Sequence, residues 1–138
     1  MVVLVAYDSS EPAQKAVEHA FVTYPDREIV LLRVIEAADG FTGAGIKLTQ
    51  EAIRERTEEV SAEFPDEIRD IVSDPDVEFR TELVVGKPAR EIVSYAEEHD
   101  VDHIIIGSHG RSGLTRVLLG SVAETVVRRA PVPVTVMR

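Results

Sequence analysis

Val2-Val3-Leu4-Val5-Ala6-Tyr7-Asp8-Ser9-Ser10-Glu11-Pro12 opens the chain and decides the fold. Five consecutive apolar residues with no polar alternation describe a strand covered on both faces. Ser9 and Ser10 then offer helix caps, and Pro12 suits a first helical turn. The helix predicted next carries Ala13, Ala16, Val17, Ala20 and Phe21 on one face, and Tyr24-Pro25-Asp26 closes it. A buried strand followed at once by a one-faced helix is the start of an α/β fold.

The pattern repeats to the end of the chain. Ile29 to Ile35 reads as a second buried strand, followed by a loop from Glu36 to Ile46 that carries Gly40, Gly43 and Gly45. A long charged helix is predicted from about Thr49 to Val72, with Pro65 breaking or restarting it. Val77 to Val85 alternates over most of its length, which suggests one solvated face and a sheet edge. Gly86-Lys87-Pro88 opens a helix with Ala89, Ile92, Val93 and Ala96 inward, and Val101 to Ile106 is a fourth, apolar strand. Gly107 to Leu119 reads as a glycine-bearing loop, and a last helix runs from about Gly120 to Arg129. Val132 to Met137 is the fifth strand, placed at an edge by Pro133.

Alternating strands and helices give a doubly wound, open parallel sheet of five strands with helices on both faces. Apolar strands one and four belong in its centre, so right-handed crossovers favour the order 3-2-1-4-5. The winding reverses between strands one and four, and open α/β sheets bind ligands there, beyond the carboxyl ends of the strands. The loops at Tyr7-Asp8-Ser9 and at Gly107 meet at that point. Residues 1–138 make one domain, since a chain of this length leaves no room for a second.

Composition narrows the function. The 44% hydrophobic content allows an ordinary core, and no apolar run approaches the roughly 18 residues of a membrane span. The apolar start reads as a strand and not a signal peptide. Without cysteine there are no disulfides and no thiolate metal sites, so a cytoplasmic protein is expected. Asp and Glu outnumber Lys and Arg by 25 to 15, a net charge of −10 that repels nucleic-acid phosphates. Lysine occurs only at Lys15, Lys47 and Lys87. Such a surface suits a high-salt cytoplasm, where salt screens carboxylate repulsion; a mildly acidic mesophilic protein is the other reading.

Gly107-Ser108-His109-Gly110-Arg111-Ser112-Gly113 follows strand four, and Gly120-Ser121 opens the last helix. Glycines let a backbone approach a phosphate chain closely, and a helix N-terminus adds N–H groups and a favourable dipole. Ser108 and Ser121 offer hydroxyls, and Arg111 and Arg116 supply positive charge. Read alone, the loop serves more readily as a glycine-rich turn that merely ends a strand.

The spacing Gly107-x-x-Gly110, nine residues, then Gly120-Ser121 resembles the nucleotide-binding signature of the universal stress protein family. Val5-Ala6-Tyr7-Asp8-Ser9-Ser10-Glu11-Pro12 resembles the family's opening strand and Asp-x-Ser turn, although many relatives carry glycine where Ser9 stands. Gly86-Lys87-Pro88-Ala89 and Ala130-Pro131-Val132-Pro133-Val134 resemble its turn before the third helix and its closing strand. With the full glycine signature kept, the likeness is to the ATP-binding branch. The resemblance implies Tyr7, Asp8 and Ser9 on the adenine side, Asp8 the polar anchor, with Val34 lining the base from the other side. It implies Gly107, Ser108, His109 and Gly110 around ribose and phosphates, and Gly120, Ser121 and Val122 holding phosphates at the helix start. A divalent ion, magnesium or manganese, is expected on the phosphates, held mainly by phosphate and water. The resemblance also implies a homodimer closed by antiparallel pairing of the last strand.

Other candidates carry less. His109 suits either phosphate contact and proton transfer or plain loop polarity. His19, His99 and His103 have no partner at ligand spacing, so no metal site is expected. No Gly-x-Ser-x-Gly elbow and no Walker lysine motif occur. The glycines of the 36–46 loop fit a lid or connector better than a phosphate cradle, because they do not lead into a helix. A nucleotide-dependent stress-response or signalling module is favoured over a slow ATP hydrolase or phosphotransfer enzyme. The reason is that the chain offers no general base or arginine finger set against a γ-phosphate.

Overall fold

A computed structural model describes residues 1–36, 50–72, 74, 76–108 and 120–138. Five strands and four helices alternate: β1 Val2–Ala6, α1 Glu11–Thr23, β2 Glu28–Ile35, α2 Gln50–Ile71, β3 Arg80–Val85, α3 Pro88–Glu98, β4 His103–Gly107, α4 Ser121–Arg129 and β5 Val134–Met137. The strands form one parallel sheet in the order β3-β2-β1-β4-β5, the expected order.

The period of two along each strand divides the core into two layers. Val3, Val5, Ile29, Leu31 and Ile105 face α1 and α2, while Leu4, Ala6, Val30, Leu32, Ile104 and Ile106 face α3 and α4. Burial on both faces is why β1 and β4 are apolar without alternation. Each of these large side chains contributes about 1.5–3 kcal/mol by leaving water. The α1 stripe Ala13, Ala16, Val17, Ala20 and Phe21 is buried as its spacing predicts. Ser10 is the N-cap, its hydroxyl accepting from the Ala13 N–H at 3.2 Å.

Several boundaries differ from expectation, β4 among them, which begins at His103 and not at Val101. Helix α2 runs through Pro65 as one element of 22 residues. A proline inside a helix costs about 3 kcal/mol, but Val60, Phe64 and Ile68 straddle it on one buried stripe. Their burial, about 1.5–3 kcal/mol each, outweighs that cost and keeps both halves on the sheet. Strand β3 begins at Arg80, although Val77 and Phe79 in its lead-in still pack on the α1–α2 layer. Strand β5 begins at Val134, after Pro131 and Pro133, which have no N–H to give a ladder. The α3 face buries Tyr95 beside the predicted Ile92, Val93 and Ala96, while the predicted Ala89 is only partly buried.

Candidate functional site

At the carboxyl ends of β1, β2 and β4 lies a cavity of about 170 Å³. Ala6, Leu32, Val34, Ile92, Ile106 and Val122 give it apolar walls, and Asp8 and Glu36 put carboxylates at its border. The sheet places these residues together because β1 is hydrogen-bonded to both β2 and β4. Val122 comes from the first turn of α4 and Pro88 from the first residue of α3, so two helix N-termini flank the cavity. Tyr7, Asp8, Val34, Gly107 and Val122, all singled out from sequence, border this one space.

Gly107 is constrained by its neighbours. A Cβ there would stand 2.6 Å from both the Ala13 nitrogen and the Pro12 carbonyl carbon. The missing side chain lets the start of α1 lie against the end of β4, which brings the Asp8 turn beside the Gly107 loop. Ser108 is 5% exposed and ties the end of β4 to the start of α4. Its hydroxyl accepts from the Gly120 N–H at 3.2 Å, and its own N–H donates to the Met137 carbonyl at 2.7 Å. Gly120 is the N-cap of α4 and gives it no side-chain cap bond. Ser121 is exposed, and its carbonyl accepts from the Thr125 hydroxyl at 2.9 Å.

Tyr7 borders the cavity, but its ring stacks on Phe64 with centroids 5.7 Å apart. Its hydroxyl donates to Glu67 Oε1 at 2.7 Å. Burial, reinforced by that carboxylate, pushes the phenol well above its ordinary range. Tyr7 therefore holds its proton at any physiological pH and works as a fixed donor. Ser9 turns away toward Arg33, whose Nη1 donates to its hydroxyl. Asp8 is exposed, and its Oδ1 accepts from the Ser10 N–H at 3.0 Å. Arg33 and Glu67 escaped the sequence reading; the available signal was a lone cation inside the apolar run Ile29 to Ile35.

His109, Gly110, Arg111 and Arg116, with Gly40, Gly43 and Gly45, lie outside the described residues. Among the described residues no group of three or more His, Asp or Glu is placed to hold a metal ion. His103 instead bonds the Thr135 hydroxyl through Nε2 at 2.7 Å, and His99 stacks on Tyr95. No helix among the described residues is long and apolar enough to cross a membrane.

Known proteins resemble this chain over its whole length. The Universal stress protein family model matches residues 1–138. Universal stress protein MJ0577 of Methanocaldococcus jannaschii is 35% identical over 152 aligned residues, covering 99% of this chain and 93% of that one. Its solved structure superposes with a TM-score of 0.72. Universal stress protein UspA from Lactobacillus plantarum is 28% identical with a TM-score of 0.78, covering 100% of this chain and 97% of its own. A universal stress protein from Archaeoglobus fulgidus in complex with dAMP has the same fold at 24% identity, with a TM-score of 0.66 and coverage of 100% and 98%.

Proposed function

The chain belongs to the universal stress protein family, and on that premise we propose that it binds ATP at the carboxyl end of its sheet. Binding would make it a nucleotide-dependent stress-response or signalling module. One observation carries this reading: Asp8, Val34, Gly107 and Val122 border a single apolar slot at the point where the winding reverses. Apolar walls with a carboxylate at the rim suit a flat base with an exocyclic amine, such as adenine. The dAMP held by the Archaeoglobus fulgidus protein supports an adenine nucleotide on this fold.

In this reading Asp8 accepts from the base, Val34 packs on its face, and Tyr7 and Ser9 shape the turn that carries Asp8. Gly107, Ser108, His109 and Gly110 wrap the ribose and phosphates. Gly120, Ser121 and Val122 present backbone N–H groups and the positive end of α4 to the phosphates. The uncapped start of a helix fits an anion in a chain of net charge −10. Magnesium or manganese would accompany the phosphates, bound chiefly to them and to water.

Calorimetric titration with magnesium ATP is the test. Gly120→Val adds a branched side chain at the helix start and is expected to weaken ATP by more than about tenfold while the fold survives. Asp8→Ala should reduce discrimination between ATP and GTP more than it reduces phosphate affinity. Unchanged affinity in Gly120→Val would place the pocket elsewhere. A single-turnover assay should return intact ATP, and ADP release would instead make the protein a hydrolase.

The same reading extends to assembly. Strand β5 is an edge with Val134 and Val136, and Val132 just before it, only partly covered, and an open edge invites pairing. Antiparallel pairing of two β5 strands across a two-fold axis would close it. Light scattering should give twice the 15.2 kDa chain mass; a monomer mass at working concentration would exclude this.

A further inference from the structure

Ser9 and Asp100 are the two non-glycine residues with positive φ among the described residues, Ser9 at 69°. In that region an L side chain crowds the following carbonyl, so the conformation needs support from outside the turn. Local bonds give part of it: Gln14 Nε2 donates to the Ser9 carbonyl at 3.3 Å, and the Ser10 N–H donates to Asp8. The long-range support is Arg33, 24 residues away on β2, which donates to the Ser9 hydroxyl.

Arg33 is out of keeping with its strand. Its side chain is only 15% exposed, and Glu67 Oε2 stands 3.9 Å from its Nη1. The other Glu67 oxygen accepts from the Tyr7 hydroxyl. Asp8 is thus bracketed: Tyr7 before it and Ser9 after it are both tied to the Arg33–Glu67 pair. Burying a guanidinium costs free energy that a methionine of similar length would not incur. What the arginine adds is its bond to the turn.

We propose that Arg33, oriented by Glu67, is a positioning residue that holds Ser9 in its left-handed conformation and so sets the Asp8 carboxylate at the rim of the cavity. The nucleotide part of this inference rests on the ATP reading above; the part concerning the turn does not. Substitutions at one position separate support from simple packing. Ser9→Ala removes the anchor and keeps the cost of positive φ, whereas Ser9→Gly removes the anchor and that cost together.

Two quantities are measured: exchange of the Ser10 amide in the nucleotide-free protein, and ATP affinity by calorimetry. Ser9→Ala and Arg33→Met should each speed exchange and weaken ATP by about tenfold, while Ser9→Gly stays within about twofold of the parent. The Ser9→Gly/Arg33→Met double variant should recover both. Equal behaviour of Ser9→Ala and Ser9→Gly would overturn the proposal, as would an Arg33→Met defect that persists in the double variant. Should Arg33→Met fail to fold, the alanine–glycine comparison at Ser9 decides alone. A parent protein that binds no ATP would overturn the nucleotide reading, and amide exchange would still decide whether Arg33 holds the turn.

Discussion

The two ends of the sheet differ in a way that size does not explain. The amino end carries an open groove of about 1400 Å³, between the end of α1, the end of α2 and the approach to β3. The carboxyl end has the slot of about 170 Å³. In the larger groove two of the cations are already engaged. Arg80 lies 3.2 Å from Glu28 and 3.8 Å from Glu82, and Arg69 sits over the Phe79 ring at 5.3 Å. Helices α1 and α2 end there, which turns the negative ends of their dipoles toward the groove. At the carboxyl end α1, α3 and α4 begin, and Gly107 lets α1 close on β4. Convergence of helix starts and close-packed backbone distinguishes the smaller space, and volume alone would have pointed to the opposite end.

The sharpest way to break this comparison is a matched pair of substitutions. Gly107→Ala drives a methyl group into the backbone of Pro12 and Ala13. It should cost about 1–3 kcal/mol in denaturant unfolding, because well-packed sites resist added volume. ATP affinity should fall with it as α1 is pushed off β4. Arg80→Ala breaks half-exposed ion pairs at the amino end. It should cost no more than about 1 kcal/mol and leave ATP affinity unchanged. A loss of affinity in Arg80→Ala, or none in Gly107→Ala, would reverse the assignment of the two ends.

A smaller effect comes from His103, the first residue of β4 at the amino end. Burial, then the charge of His19, lowers its pKa below the ordinary 6.5. The unfolded chain therefore binds the proton more readily than the folded one. The stability this gives is complete above pH 6.5 and is lost as pH falls from there through the folded value. Melting temperature should fall modestly between about pH 7 and about pH 5, and His103→Gln should flatten that part of the profile. A profile identical in parent and variant would remove His103 as the cause.

Much of this was legible in the sequence. Uninterrupted apolar runs in β1 and β4 and alternation toward β3 suffice for the strand order, since burial on two faces and on one leave different periods. The α1 stripe was readable for the same reason. Pro65 was misleading because propensity acts locally, whereas the Val60–Phe64–Ile68 stripe that overrides it depends on the sheet beneath. Tyr95 was missed on α3 because a tyrosine, with an apolar ring and a polar hydroxyl, does not declare which way it faces.

The sequence by itself determined the fold class, the strand order and the meeting of the Asp8 and Gly107 turns where the winding reverses; Val34 and Val122 beside them were implied by the family resemblance. Periodicity and crossover handedness are local or topological rules that a linear string carries in full. Only the tertiary structure decided that Tyr7 points its hydroxyl at Glu67, that Gly107 yields its space to α1, and that Arg33 reaches Ser9. Those are contacts between residues far apart in the chain, up to 95 positions for Gly107 and Pro12. Their distances exist only once the strands between them have paired.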